Sequence, residues 1–527
     1  MNGARGRLFA ALSCKQQQSR GRKAAAKAIP APDEIAFASG SSDFATVFIM
    51  LRILVLALGC LAAVCSAQDK LNVLFIAADD MNTDLGTFGH PLVKTPNFDR
   101  LARMGIKFDQ AYCNYPVCNP SRASLMTGLY PDQTGVRSNG GNFRKEIPSV
   151  KTLPQMFQDA GYFTARVGKI YHYGVPVNIG EDGVDDPASW HEVVNPRGRD
   201  KWEEDQIYTI DPVTHNLGGT LSWMAQDGTD EEQTDGIGAN AAIKLMADHK
   251  DKPFFVAMGF YRPHTPYVAP RKYFGMYPLH MVRLPVEPLD DLVDMPHAAW
   301  VDRPYQLYLS DTKKRQAIQA YWASISFVDA QLGRILDAVE DMGLADNTII
   351  VFWSDHGYHM GEHKLWQKTT LFENSARVPM MIASPKHRKT AGLATKSLAE
   401  LVDIYPTLAD LAGVKAPKHL AGKSLVPVLE DPTVSVRETA LTTFDTVDRV
   451  NRPPLRPRAV GYSVRTERWR YTEWGPDAKY GAELYDHCND PKEYVNLALA
   501  PHAQETVAEM KKLLDQHVAL ATKKPNL

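Results

Sequence analysis

The chain has 527 residues, 44% of them hydrophobic, and a formal net charge of −2. That is enough apolar material for a large buried core and enough length for more than one domain, while the near-neutral balance argues against nucleic acid as a partner. Six cysteines in this length exclude a disulfide scaffold.

Residues 1–49 are basic in their first half, rich in Ala, Ser and Gly, and carry no sustained amphipathic pattern. They read as a disordered tail, a long leader or, with Met50 as the true start, a misassigned extension. Residues 50–67 read as a signal peptide: Arg52 is the positive flank, Ile53 to Val64 the short apolar run, and Cys65-Ser66-Ala67 the small-residue end. The expectation is a secreted or periplasmic protein starting near Gln68, with no stable membrane partner, because the run is short for a span. Beyond the leader three cysteines remain, Cys113, Cys118 and Cys488. Cys113 and Cys488 are open to pairing, and two buried thiols are the expectation.

From about Leu71, apolar runs alternate with helical patterns, which marks an α/β domain. Asn72 to Ala78 is a continuous apolar strand that ends in Asp79-Asp80. Next comes Cys118-Asn119-Pro120-Ser121-Arg122. Pro120 suits a first helical turn and Gly128 a left-handed helix end, so Cys118 falls at a helix N-terminus, where free N–H groups and the dipole favour an anion. Phe163 to Val167 is a second strand, followed by Lys169 and His172. Val175 to Asp235 is acidic and loop-like. Phe254 to Met258 is a third strand, leading to His264 between Pro263 and Pro266. Tyr261 to Pro304, rich in Pro, Tyr and His, is a long segment expected, with Val175 to Asp235, to wall a cleft.

Ile318, Trp322, Ile325, Val328, Leu332, Ile335 and Val339 recur at helical spacing and predict the core face of one long helix. Thr348 to Trp353 is a fourth strand, ending in Asp355-His356-Gly357, with Lys368 further on. After Pro427 the pattern changes to strands at Leu441 to Asp445, Gly461 to Thr466 and Arg468 to Trp474, then a helix from about Ala503. The expected division is therefore a catalytic domain over 68–426 and a small α+β subdomain over 427–527.

In open α/β sheets, ligands collect beyond the carboxyl ends of strands. Asp79, Asp80 and Asp355 converging there would repel one another unless a cation neutralised them. Oxygen ligation suits Ca²⁺ or Mg²⁺, and the softer His356 leaves Mn²⁺ or Zn²⁺ open. Aspartates at strand ends also cap helices; it is the two clusters together that favour a metal.

These motifs carry a resemblance to the type I, formylglycine-dependent sulfatases of the alkaline phosphatase superfamily, over about Leu71 to the C-terminus. Within that family the chain is most similar to the iduronate-2-sulfatase type, through Gly168-Lys169-Ile170-Tyr171-His172, Arg262-Pro263-His264-Thr265-Pro266-Tyr267, Gly361-Glu362-His363 and Gly461-Tyr462-Ser463-Val464-Arg465-Thr466. His356 stands where many sulfatases have Asn and belongs to the same branch. The resemblance implies an alkaline-phosphatase-like large domain, with a central mostly parallel sheet flanked by helices, and a smaller domain with an antiparallel sheet.

It also implies that Cys118 is oxidised to formylglycine by a formylglycine-generating enzyme and joins Asp79, Asp80, Asp355 and His356 around one Ca²⁺. Arg122 and Lys169 would stabilise the hydrated aldehyde, His172 would act as its base, Lys368 would grip the sulfate, and His264 would lie at the leaving oxygen. One hydroxyl of the hydrate would attack sulfur and release the alcohol; the other would then lose its proton and expel sulfate. The implied substrate is a sulfated glycan, a 2-O-sulfated uronate in first place. Another sulfated polysaccharide, choline sulfate, a phosphonate monoester or a phosphodiester are the alternatives. Arg262, Lys364 and Arg271 are candidate partners for a uronate carboxylate.

Overall fold

Strand β1, Asn72–Ala78, is buried along its whole length and alternates two faces into two separate cores. Leu74 and Ile76 enter one, Val73 and Phe75 the other. A strand buried on both faces reads as an unbroken apolar run, which is why it is legible in the sequence. The computed structural model describes residues 70–301, 303–446 and 459–527. The signal peptide over 50–67 and the extension before it lie outside the described residues.

Around β1 the sheet is built from β2 (Ile106–Tyr112), β3 (Phe163–Gly168), β4 (Glu192–Val194), β5 (Phe254–Gly259), β6 (Thr348–Ser354) and β7 (Arg377–Ala383). With two short strands at 394–395 and 399–400 on β2, it has nine strands among the described residues, and its main path runs β2-β7-β6-β1-β5-β3-β4. The pairs β6–β1, β1–β5, β5–β3 and β3–β4 are parallel. β7 runs against both of its neighbours.

One face is covered by α1 (Pro96–Met104), α4 (Thr234–His249) and the long α5 (Asp311–Asp341). The other is covered by α2 (Cys118–Thr127), α3 (Leu153–Asp159) and α6 (Ile404–Ala412). All seven apolar positions predicted for the core face of α5 are buried.

A separate antiparallel meander follows: β8 (Ala440–Asp445), β9 (Val460–Arg465), β10 (Trp469–Trp474) and β11 (Ala482–Asp486). The C-terminal helix α7 (Gln504–Ala521) lays Met510 and Leu514 against Leu441, Val464, Tyr471 and Leu484. The fold class is the one expected.

Three details differ from the sequence reading. β7 was hidden by Pro379, which removes a ladder donor; the strand accommodates it with a register irregularity between Val378 and Met380. The stretch from Val175 to Asp235 is not all loop, since β4 adds an edge to the central sheet and Ser222–Gln226 pairs with Tyr267–Pro270. Cys113 is buried, but Cys488 is exposed, so the two buried thiols expected are not found.

Candidate active site

The parallel strands end at one edge of the sheet, and the candidate side chains follow directly: Asp79 and Asp80 after β1, Lys169 after β3, His264 after β5, and Asp355 and His356 after β6. The chains leaving β3 and β5 run in contact, with Lys169 N–H donating to Gly259 O at 2.9 Å. A Cβ at Gly259 would sit 2.0 Å from Lys169 O, so only glycine fits there.

Cys118 opens α2, and Gly128 closes that helix at φ +68. Both ends are as the Pro and Gly positions predict. Asn119 pins the start of the helix by donating from Nδ2 to Gly141 O at 2.7 Å, and Ser121 Oγ donates to Asp355 O. Sequence reasoning assigned neither residue a role, although both lie inside the conspicuous motif.

The Sγ of Cys118 lies 3.1 Å from Lys368 Nζ, 3.5 Å from His356 Nε2 and 3.7 Å from Asp80 Oδ1. Arg122, one turn into α2, donates from Nε to Asp355 Oδ2 at 2.9 Å and contacts Asp79 Oδ1 at 3.2 Å. Its remaining donor binds the carbonyls of Lys169 and Ile170 at 2.6 and 3.0 Å. Lys169 Nζ pairs with Asp79 Oδ2, and Lys368 Nζ with Asp80 Oδ1. His264 Nε2 is 3.8 Å from Asp80 Oδ2. His172 is buried at the same site, and its Nδ1 has no hydrogen-bond partner among the described residues. All ten predicted residues are thus buried around one point.

Burial sets the protonation states. It pushes the Cys118 thiol well up, so the unmodified cysteine is a poor nucleophile here. It pushes the imidazoles of His172, His264 and His356 down, and for His172 the cations Lys169, Arg122 and Lys368 add to the effect. Burial works against the Asp80 carboxylate as well, but the field of His264, Lys368 and His356 outweighs it and holds Asp80 below its ordinary value. Of these three groups Lys368 is the one whose charge is permanent. Asp79 is pushed up by burial in spite of Lys169 and Arg122.

The donor set fits a divalent cation. Asp80, Cys118, Asp355 and His356 offer ligand atoms within 4.8 Å of one another, as do Asp79, Asp80, Cys118 and His264. Asp80 Oδ2 is buried and has no hydrogen-bond partner among the described residues. The contact of His356 Nδ1 with Gly357 O at 2.9 Å places the ring proton there and turns an unprotonated Nε2 into the site. A buried carboxylate such as Asp79, whose ionised form is disfavoured even beside two cations, is a group that a divalent ion would stabilise. A third acidic group, Glu373, Glu493 and His487, is already neutralised by Arg470 and is an ion-pair network.

Asp80 has φ +63, an uncommon backbone for an aspartate. Tyr321, from α5, holds it: the hydroxyl donates to Asp80 O at 2.8 Å and accepts from Asn82 N–H at 2.9 Å. No sequence signal marked Tyr321, which sits among the buried residues of a core helix.

Two of the carboxylate-binding candidates are committed elsewhere. Arg262 is buried and bound to Asp200 at 2.6 Å, and Arg271 pairs with Asp227 at 2.9 Å. Lys364 is exposed.

A family model described as Sulfatase matches residues 71–414, and one described as N-sulphoglucosamine sulphohydrolase, C-terminal, matches residues 361–519. A sulfatase of Formosa agariphila is 33% identical over 85% of this chain and 86% of its own. Mouse (Mus musculus) iduronate 2-sulfatase is 32% identical over 78% of this chain and 85% of its own. Among solved structures, the phosphonate monoester hydrolase of Agrobacterium radiobacter superposes with a TM-score of 0.69 at 25% identity, over 86% of this chain and 96% of that one.

Proposed function

Since the chain belongs to the sulfatase family, we propose that it hydrolyses the sulfate ester of a sulfated glycan, a 2-O-sulfated uronate in first place, after Cys118 has been converted to formylglycine. The observation that carries this reading is the setting of Cys118, at a helix N-terminus, 3.1 Å from a lysine ammonium and beside three buried carboxylates. The uronate rests on the likeness to mouse iduronate 2-sulfatase and on His356.

Formylglycine supplies a hydrated aldehyde, whose hydroxyl is a better nucleophile than the buried thiol. Asp79, Asp80, Asp355 and His356 would hold a calcium ion, with Mg²⁺ or Mn²⁺ as alternatives; such a cation lowers the pKa of an oxygen it contacts. Arg122 and Lys169 orient residue 118 and the carboxylates by the contacts described. Three carboxylates facing Arg122, Lys169 and Lys368 are already balanced, so a divalent ion leaves a net positive site suited to a sulfate ester. Lysine 368 grips that sulfate. His172, kept neutral by burial and by its cationic neighbours, takes up a proton. His264, whose Nδ1 contacts Thr265 O, turns Nε2 toward the cleft beside Asp80; to assist the leaving oxygen it would have to carry a proton there, which Asp80 favours and burial opposes.

In this reading residues 68–426 form the catalytic domain and 427–527 a small subdomain, and 50–67 directs export and is removed from the mature protein. Among the described residues no helix is long and apolar enough to cross a membrane.

The test is sulfate release by protein co-expressed with a formylglycine-generating enzyme, with Cys118→Ala as control. The panel holds aryl sulfates, choline sulfate, disaccharides sulfated at defined positions, and phosphonate and phosphate esters. Release from the non-reducing 2-O-sulfated uronate, absent in the control, is the expected result. Another sulfated sugar as preferred substrate would discard the uronate alone. Preference for phosphonate esters, the activity named for the structural relative above, would discard the sulfate.

A further inference from the structure

Lys368, the side chain assigned to the sulfate, stands on a backbone that its own hairpin does not hold. The two strands of that hairpin are two residues long, His359–Met360 paired with Trp366–Gln367, and the ladder ends one residue before the lysine. Gln367 and Thr369, on either side of Lys368, have φ +68 and +80. A left-handed backbone is uncommon for glutamine and an outlier for a β-branched threonine, and it persists only where surrounding groups hold it.

The holding groups come from the segment over 261–304 and the turn that follows it. Arg303 directly precedes the one-turn helix Pro304–Leu307, and its guanidinium engages three consecutive residues of the loop. Nη1 donates to Gln367 Oε1, while Nη2 donates to Lys368 O at 3.2 Å and to Thr369 Oγ1 at 3.1 Å. Gln306, which is buried, donates from Nε2 to the same Gln367 oxygen at 2.8 Å. Thr369 Oγ1 donates in turn to Lys368 O, so that carbonyl accepts twice. The same segment holds the tip of the loop, where Asp291 binds His363 Nδ1 at 3.1 Å and Glu287 accepts the Lys364 N–H at 3.2 Å.

One side chain carries the effect of this clasp to the reacting centre. Lys368 Nζ lies 3.1 Å from Cys118 Sγ and pairs with Asp80 Oδ1. An ammonium on a flexible four-carbon stem stays at one point only if its backbone is fixed. A planar guanidinium, with its donors set in a rigid fork, can fix three acceptors at once, and a lysine in its place cannot.

We propose that Arg303 is a positioning residue of the reaction: by clasping residues 367–369 it fixes Lys368 beside residue 118, where the sulfate is gripped. The inference rests on the sulfatase reading and deepens it, because it gives the long segment before α5 a part in binding the sulfate itself.

The test compares Arg303→Gln and Arg303→Lys with the parent and with Lys368→Ala, all co-expressed with a formylglycine-generating enzyme. Arg303→Gln should raise KM about tenfold with kcat little changed, as loss of an interaction made equally before and during reaction does. The rise should be the same for aryl and sugar sulfates, which share the sulfate, and the inhibition constant of inorganic sulfate should rise in proportion. Arg303→Lys should recover part of the loss. In a Lys368→Ala background Arg303→Gln should cost nothing further, since two residues that act through one contact do not add. Independently of turnover, amide exchange over residues 366–370 should quicken about tenfold in Arg303→Gln, with the strands of the central sheet unchanged. An unchanged KM, a loss that adds to that of Lys368→Ala, or unchanged exchange would each overturn the positioning role. Failure of the sulfatase reading looks different: the parent would cleave no ester on the panel, while exchange over 366–370 still quickened in Arg303→Gln, which would uphold the clasp and discard the sulfate it serves.

Discussion

Replacing Tyr321 by Phe tests whether a core helix holds the candidate metal site in shape. The substitution deletes one oxygen. It keeps the ring stacked on Tyr358, centroids 5.2 Å apart and planes 8° apart, and edge-on to Tyr267. Two buried backbone groups lose their partner, the carbonyl of Asp80 at 2.8 Å and the N–H of Asn82 at 2.9 Å. Each unsatisfied group costs about 1–3 kcal/mol, so the expected loss of stability is about 2–6 kcal/mol.

The same two bonds pin Asp80 in its left-handed conformation, which alone costs about 1–3 kcal/mol to maintain. Released from them, the Asp80 carboxylate should bind calcium 10- to 100-fold more weakly, the usual effect of losing a group that orients a ligand. The assay is the urea midpoint of metal-free protein, together with calcium affinity from the shift of Tm with calcium concentration. Tyr267→Phe is the control, because it removes only the hydroxyl contact with Tyr358 at 2.8 Å and should leave calcium affinity unchanged. A Tyr321→Phe protein with unchanged midpoint and calcium affinity would refute the reasoning. So would equal losses of affinity in the two variants.

Two further outcomes follow from the geometry. His264→Ala should slow unactivated sugar sulfates by about 10²- to 10⁴-fold while sparing aryl sulfates with good leaving groups, as removal of a general acid does; equal losses on both would take His264 out of that role. In the small domain, burial works against the Glu493 carboxylate, but Arg470 at 2.6 Å and His487 at 2.9 Å outweigh it and hold Glu493 below its ordinary value of 4.5. A carboxylate depressed by folding stabilises the protein above its unfolded pKa, and that contribution is lost as pH falls below it. Urea unfolding from pH 7 downward should therefore show stability falling from about pH 4.5, and Glu493→Gln should start lower and fall less steeply. Parallel curves for the two proteins would show that this carboxylate is not the acid-sensitive group.

Much of the architecture is local, and for that reason it is legible in the sequence. β1, β3, β5 and β6 are short apolar runs because strands covered on both faces have no polar side to interrupt them. The heptad-like spacing of α5, Pro120 inside the start of α2 and Gly128 at its end likewise depend only on near neighbours. Because parallel strands deliver their following residues to one edge, Asp79, Lys169, His264 and Asp355 could be assigned to one site without knowledge of the strand order.

What the tertiary structure decided is what depends on residues far apart in sequence. β7 was obscured by Pro379 until its partners on both sides showed how the irregularity is absorbed. Arg262 looked available for a substrate carboxylate, yet Asp200, 62 residues away, occupies it. Tyr321 lies 241 residues from the Asp80 carbonyl it binds, and a tyrosine on a helix core face carries no mark of that task. Lys364, a candidate for the same carboxylate, is exposed, and Glu287 is engaged by its backbone N–H. Composition and spacing report propensity and burial, which act over a few residues. Which charge meets which counter-charge is settled when the chain packs, and that pairing separates the residues left for a ligand from those consumed by the fold.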